Sequence, residues 1–126
     1  MEPFRILILR IFFAVSTEEA AAQMMARLVQ MVEPHASVTR TTTERYWKIP
    51  EYFEVTIYIA PTSDPATLFD KLLRLIGAGW IRTGDDSEWG AVWTKEMSSE
   101  ARLANMQWAS LDVIIPPEGA SGADSP

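Results

Sequence analysis

The hydrophobic residues of this chain change their spacing several times between residues 4 and 115, and this succession limits the folds open to it. Residues 4–15 are apolar on both alternating faces apart from Arg5 and Arg10, and residues 52–60 alternate with a period of two. Residues 16–33 and 64–77 instead carry apolar side chains at helical spacing. A period of two is typical of strands and a period of 3.6 of amphipathic helices. The pattern therefore predicts strands and helices that alternate along the chain.

Residue types known to begin and end helices bound the two helical segments. Ser16 and Glu19 have the spacing of a capping box at the start of the first helix. Asp64 is placed to cap the second helix, Pro65 suits its first turn, and Gly77 suits its end. These residues predict two helices with apolar stripes that face a core.

The remaining segments predict further strands. Residues 38–47 are rich in threonine and polar on both faces, which is typical of an edge strand. Residues 80–83 and 89–95 predict a hairpin, and residues 98–105 predict a short helix. Residues 107–115 alternate again, and the residues expected on their buried face are Ala109, Leu111, Val113 and Ile115.

The order strand, helix, strand, strand, helix, strand predicts an α+β protein. Specifically, it predicts a ferredoxin-like antiparallel sheet with the helices on one face, extended by the hairpin and a C-terminal strand. The first and third strands are central in that topology, and they are the most apolar strands here. Residues 1–117 are predicted to form a single domain, and residues 118–126 a flexible C-terminal tail. The apolar start at Phe4 is interpreted as a buried strand rather than a signal peptide, because arginines interrupt it.

The near absence of cysteine and histidine excludes several kinds of active site. The chain has no cysteine, so disulfides, thiolate nucleophiles and Cys/His zinc sites are excluded, and its one histidine is His35. Because His35 follows Pro34 in a loop with no partner visible in the sequence, we expect no enzyme activity, no metal and no cofactor. The lack of cysteine favours a reducing compartment, hence the cytoplasm. No apolar run reaches the roughly 18 residues of a membrane helix.

Charge is distributed unevenly between the two halves of the chain. The net charge is −6; residues 1–50 carry six Lys/Arg and five Asp/Glu, whereas residues 51–126 carry five and twelve. Such a chain repels nucleic acid and anionic membranes and attracts a basic protein. The alternative is that the acidic surface only maintains solubility.

The hairpin loop concentrates acidic residues at Asp85, Asp86 and Glu88. Three interpretations stay open: a solvated turn, ligands for a hard cation such as calcium or magnesium, and a docking site for a basic partner. We predict the docking site, with Glu51 and Glu54 as neighbours in the same surface.

Aromatic residues supply the candidate anchors of that surface. Trp89 and Trp93 share one face of their strand, whereas Trp108 lies opposite the apolar side of the last strand and so belongs to the open face or its rim. Tryptophan is prominent among interface hot spots, although any one tryptophan is more often packed in a core. Trp47 and Trp108 are the two predicted anchors.

Three groups of residues resemble a known family. Residues 45–54 (RYWKIPEYFE), residues 79–80 with 89–93 (GW and WGAVW), and residues 107–111 (QWASL) together resemble small bacterial immunity proteins of contact-dependent inhibition and other polymorphic toxin systems. The resemblance implies a cytoplasmic protein that binds and blocks one cognate toxin, often a nuclease, without catalytic residues. Two alternatives stay open: a ferredoxin-like small-molecule-binding regulatory domain, and a small dimeric enzyme. The oligomeric state is left open.

Overall fold

The computed structural model describes residues 4–85, 87–97 and 100–115. Over this part of the chain the elements are β1 (Ile6–Phe13), α1 (Glu18–Val32), β2 (Ala36–Arg45), β3 (Phe53–Pro61), α2 (Pro65–Ile76), β4 (Gly77–Ala78), β5 (Ile81–Gly84), β6 (Trp89–Thr94), β7 (Glu100–Ala101) and β8 (Met106–Ile114). The protein is α+β, as the alternating periods predicted. The tail predicted for residues 118–126 lies outside the described residues.

The main sheet has six strands in the order β2-β3-β1-β8-β6-β5, and all its pairings are antiparallel in the described residues. The predictions that β1 and β3 are interior and that β2 is an edge strand are confirmed. The C-terminal strand β8 is also interior, since it pairs with β1 on one side and with β6 on the other. The hairpin β5–β6 therefore forms the second edge of the sheet.

One hydrophobic core lies between the helices and one face of the sheet. Leu7, Leu9, Ile11 and Phe13 of β1 are completely buried, because alternate residues of a strand point to the same face. The apolar stripes of α1 and α2 belong to the same core cluster, so both helices cover this face. Within the described ranges, neither helix is long and apolar enough to cross a membrane.

The first helix begins one residue later than its capping pattern predicts. Thr17, not Ser16, is the N-cap, and its hydroxyl accepts a hydrogen bond from the Ala20 backbone N–H at 3.0 Å. Serine and threonine cap helices almost equally well, so the pattern alone placed the start with an error of one residue. The predicted cap of α2 is confirmed, because the Asp64 carboxylate accepts from the Thr67 N–H at 3.0 Å.

A two-stranded sheet replaces the short helix predicted at residues 98–105. Among the described residues of that segment, Glu100 and Ala101 form β7, which pairs with Ala78 and Gly77 of β4. The indole N–H of Trp93 donates to the carbonyls of both Ala78 and Glu100, each at 3.1 Å. The helix prediction was wrong because this pairing depends on residues more than twenty positions away in sequence.

One residue at the end of β8 is more exposed than expected. Ile115 was predicted on the buried face, but it is 38% exposed. The strand ends at Ile114, and the Ile115 N–H donates to the carboxylate of Glu88 at 3.4 Å. The other residues predicted on this face, Ala109, Leu111 and Val113, are buried.

Candidate functional site

No described helix packs on the second face of the sheet, which we call the open face. In β1 it carries Ile8, Arg10 and Phe12, the residues between the buried positions. The register with β3 and β8 adds the side chains opposite them on the same face: Glu54, Thr56, Tyr58, Trp108, Ser110 and Asp112. The open face is the part of the sheet that the core does not use, so it is the natural place for a binding site.

Four aromatic side chains form a continuous row at one end of the open face. Phe12 stacks between two of them, with ring centroids 5.2 Å from Trp108 and 4.5 Å from Tyr46. Trp47 continues the row at 6.4 Å from Tyr46. These separations fall within the range of favourable aromatic pairs. Trp108, Phe12, Tyr46 and Trp47 are referred to below as the aromatic row.

The β2–β3 loop holds the exposed end of the aromatic row. Its base is closed by a hydrogen bond from the Tyr46 N–H to the Tyr52 carbonyl at 2.9 Å, and Arg45 donates across the loop to the Pro50 carbonyl at 2.7 Å. Trp47 is nevertheless 78% exposed; the Lys48 ammonium lies 5.2 Å and the Tyr46 ring 6.4 Å from its ring centroid. A large apolar side chain on an ordered loop is thus presented to the surroundings.

Carboxylates border the aromatic row. Glu54 lies opposite Phe12 in the sheet and forms an ion pair with Arg10 at 2.9 Å. Glu44 lies opposite Glu54 on its other side, and Glu51 is exposed in the β2–β3 loop. Like charges on directly opposed residues of a sheet repel each other. A cation from a binding partner would relieve that repulsion.

Asp112 lies near the middle of the open face, between Ile8 of β1 and Gly90 of β6. A side chain at position 90 would begin 2.4 Å from the Asp112 carboxylate, so Gly90 provides the space that this carboxylate occupies. Partial burial raises the pKa of Asp112 above its ordinary value, although Arg10 and a hydrogen bond with Ser110 act in the opposite direction. Arg10 and Ser110 therefore compensate the ionised carboxylate only in part.

The carboxylate of Asp85 stabilises a turn in the acidic β5–β6 loop. The Asp85 carboxylate accepts hydrogen bonds from the Ser87 hydroxyl at 2.8 Å, the Ser87 N–H at 2.9 Å and the Glu88 N–H at 3.2 Å. These bonds, that from the Ser87 side chain first, lower the pKa of Asp85. Asp86 lies outside the described residues. Its predicted role and those of Asp85 and Glu88 in partner binding stay predictions.

The structure divides the predicted site between the two ends of the sheet. Trp89, which follows the β5–β6 loop, pairs with Val113, whereas Thr94 at the far end of β6 pairs with Trp108. Five residues of strand separate these positions, which is about 17 Å at 3.3 Å per residue. Glu51, Glu54, Trp47 and Trp108 are thus brought together at one end, and the expectation that the two glutamates neighbour the β5–β6 loop was wrong.

The other three tryptophans serve packing. Trp93 is only 2% exposed and Trp80 packs against the core cluster, with its indole N–H bonded to the Leu73 carbonyl at 3.1 Å. Trp89 packs edge-on against Phe69 at 6.2 Å. Trp89 and Trp93 lie on the helix-covered side, so the prediction that they share a face is confirmed, as is the placement of Trp108 on the open face.

The histidine is not in the open face. His35 lines a cleft with Lys71, Arg74, Leu75 and Arg102. No group of three or more His, Asp or Glu side chains suited to a metal ion occurs in the ranges that the structure covers. Of the loop carboxylates interpreted as possible cation ligands, Asp85 and Glu88 fall within those ranges, whereas Asp86 does not.

Sequence reasoning missed four residues of the open-face site: Phe12, Tyr46, Glu44 and Asp112. The alternation of β1 already placed Phe12 opposite the core, and the same alternation in β8 placed Asp112 on the face of Trp108. The register that sets Glu44 and Glu54 side by side and brings Tyr46 onto Phe12 depends on the β2–β3 pairing, which no local pattern specifies.

Comparison of the chain with protein-family models, curated proteins and solved structures finds no match. The class that can be stated is therefore structural: an α+β protein with a six-stranded antiparallel sheet, two helices on one face and an aromatic row on the other, all within the described residues.

Proposed function

We propose that this protein is a non-enzymatic binding domain that docks a basic protein partner on the open face of its sheet. The observation that carries the proposal is the aromatic row, which ends in a tryptophan that is 78% exposed. Clustered aromatic residues in the centre of an interface provide much of its binding energy. Glu44, Glu51 and Glu54 beside the row, and Asp112 farther along the open face, supply the charges that select a basic partner.

A single nucleic acid strand is the main competing ligand for an aromatic surface, because bases stack on such side chains. Sites for single strands combine the aromatics with a positively charged groove. Here Arg10 is already paired with Glu54 at 2.9 Å, the cations Arg45 and Lys48 at the row are accompanied by Glu44 and Glu51, and the chain carries a net charge of −6. These charges favour a cationic protein over a polyanion.

The more specific form of the proposal is an immunity protein that binds and neutralises a cognate toxin domain in the cytoplasm. It rests on the resemblance of residues 45–54, 79–80, 89–93 and 107–111 to such proteins, and residues 46–47 and 108 belong to the aromatic row. A nuclease toxin fits the charge argument, because its active cleft must be basic to hold a polyanion. A ferredoxin-like description is supported by the strand order β2-β3-β1-β8, with β8 in the place of the fourth strand.

The alternatives, a regulatory domain for small molecules or a small enzyme, need a pocket against the open face. Three clefts of about 460, 410 and 330 Å³ occur in the described residues, and none of the three is lined by a residue of the aromatic row. At the aromatic row itself, the geometry therefore favours a protein partner over a small molecule.

The proposal predicts that Trp47→Ala weakens partner binding by about thirtyfold or more, the loss typical of a hot-spot residue. The proposal expects a toxin gene beside the gene for this chain, and the test measures association of the purified chain with that toxin domain by biolayer interferometry. Because Trp47 is exposed, its replacement should leave the free energy of unfolding within about 0.5 kcal/mol of wild type. Arg27→Ala, on the outer surface of α1, is the matched control and should bind like wild type.

Two results would overturn different parts of this proposal. Unchanged binding by Trp47→Ala, with wild-type binding intact, would remove the aromatic row as the docking site. Failure of the wild-type chain to bind the adjacent toxin at micromolar concentration would remove the immunity function.

A further inference from the structure

A second surface of the molecule gathers positive charge although the chain is acidic. A cleft of about 410 Å³ is lined by His35, Lys71, Arg74, Leu75 and Arg102. These residues come from the α1–β2 connection, from α2 and from the segment after β7. No carboxylate lines the cleft among the described residues, in a protein whose net charge is −6.

Two hydrogen bonds hold Arg102 at the C-terminal end of α2. Its backbone N–H donates to the Ile76 carbonyl at 2.8 Å, and its Nε donates to the Arg74 carbonyl at 3.1 Å. The pairing of β4 with β7 holds the preceding residue, Ala101, against Gly77. The bond from Nε leaves both Nη groups of Arg102 for another acceptor, so a fork of donors is held in place before any ligand arrives.

The cations of this cleft lack carboxylate partners. Arg10 and Arg82 each form an ion pair at 2.9 Å, whereas none of Lys71, Arg74 and Arg102 has one within the residues that the structure covers. Lys71 and Arg74 are three positions apart on α2, a spacing at which like charges repel. An anion bound between them would remove that repulsion.

We propose that this cleft binds the phosphoryl group of a ligand. Three cationic residues line it, so their combined charge exceeds what a single carboxylate would neutralise, and arginine forks match phosphate oxygens in paired hydrogen bonds. The volume lies within the range of sites for small ligands. The cleft lies at α2, on the helix-covered side of the sheet, so this inference is independent of docking on the open face.

Pyrophosphate is the probe for this proposal, titrated into the full chain by calorimetry at constant ionic strength. Binding should be saturable, and Arg74→Gln and Lys71→Gln should each raise the dissociation constant about tenfold, as expected for loss of a hydrogen bond to a charged group. Arg27→Gln, an exposed arginine on α1, is the control and should bind like wild type. Arg102→Gln should weaken binding likewise, and its melting temperature shows how much the end of α2 loosens.

A parallel sedimentation experiment with phosphatidic acid and phosphatidylcholine vesicles separates the two sources of a phosphoryl group. Binding to phosphatidic acid vesicles that is lost in Arg74→Gln assigns the ligand to a lipid headgroup, and saturable pyrophosphate binding assigns it to a free phosphorylated molecule. The proposal is overturned if neither probe binds, or if sulfate gives the same heats and Arg27→Gln loses as much as Arg74→Gln.

Discussion

At the residue scale, two aspartates show how local surroundings set opposite roles for the same side chain. Asp85 is exposed and accepts three hydrogen bonds within its own loop, which lowers its pKa. Asp112 is partly buried on the open face, and that burial raises its pKa. The first carboxylate therefore stabilises a turn, whereas the second is kept at some cost to the free protein, as is common for groups that contact a partner.

The raised pKa of Asp112 makes the stability of the protein depend on pH in a defined direction. Because the folded pKa lies above the ordinary aspartate value of 3.8, the folded state holds the proton more tightly, and wild type loses stability as the pH rises from 3.8 through the folded pKa. Asp112→Asn lacks this loss. Its free energy of unfolding relative to wild type should therefore increase as the pH rises from about 3 to 7.

Urea denaturation of both proteins at several pH values, followed by tryptophan fluorescence, measures this difference. Asp85→Asn is the comparison variant, and its stability relative to wild type should change with pH in the opposite direction. The pKa of Asp85 is lowered, so wild type gains stability over that variant above pH 3.8 and loses the gain as the pH falls through the folded pKa. A difference between Asp112→Asn and wild type that stays constant with pH would contradict the burial of this carboxylate.

At the scale of elements, the junction between α2 and β4 depends on the small size of Gly77. Its φ of 178° is extended backbone that any residue adopts, so conformational freedom is not the reason for glycine here. A Cβ at this position would lie 2.6 Å from the Glu100 carbonyl oxygen and 3.2 Å from Trp93 Nε1. The close approach of β4 to β7 therefore requires a residue without a side chain.

Gly77→Ala should lower the free energy of unfolding by about 1–3 kcal/mol, the usual cost of overpacking. Chemical denaturation measures it, and a double-mutant cycle with Trp93→Phe locates the effect. Since the Trp93 indole donates to the same Glu100 carbonyl at 3.1 Å, the two substitutions should be non-additive. A loss below about 0.5 kcal/mol, or full additivity, would show that β7 moves aside freely.

The elements that sequence predicted correctly are those specified by local signals. The alternation in β1 and β3 and the cap at Asp64 each depend on residues close in sequence. The β4–β7 pairing and the insertion of β8 between β1 and β6 depend on partners far along the chain. The local alternation of β8 placed Trp108 on the open face. Its stacking on Phe12 was not predicted, because it depends on the pairing of β8 with β1.

At the scale of the whole molecule, one partner can cover most of the open face. A typical interface buries about 800 Å² on each partner, which corresponds to a patch roughly 30 Å across. A partner centred on the aromatic row would then reach the β5–β6 loop, about 17 Å away along the strands, only at its rim. Charges at a rim mainly change the association rate, so we expect the acidic loop to affect the association rate and the aromatic row to contribute most of the affinity.

The central claim is that a protein partner covers the aromatic row, and hydroxyl-radical footprinting of the chain alone and with the proposed toxin partner tests it most directly. Trp47 is 78% exposed in the free chain, so it should be oxidised readily alone and strongly protected in the complex. Met31 of α1, on the helix-covered side, serves as the internal control and should react equally in both states. Equal oxidation of Trp47 in the free and bound protein, with protection on α1 instead, would contradict the account.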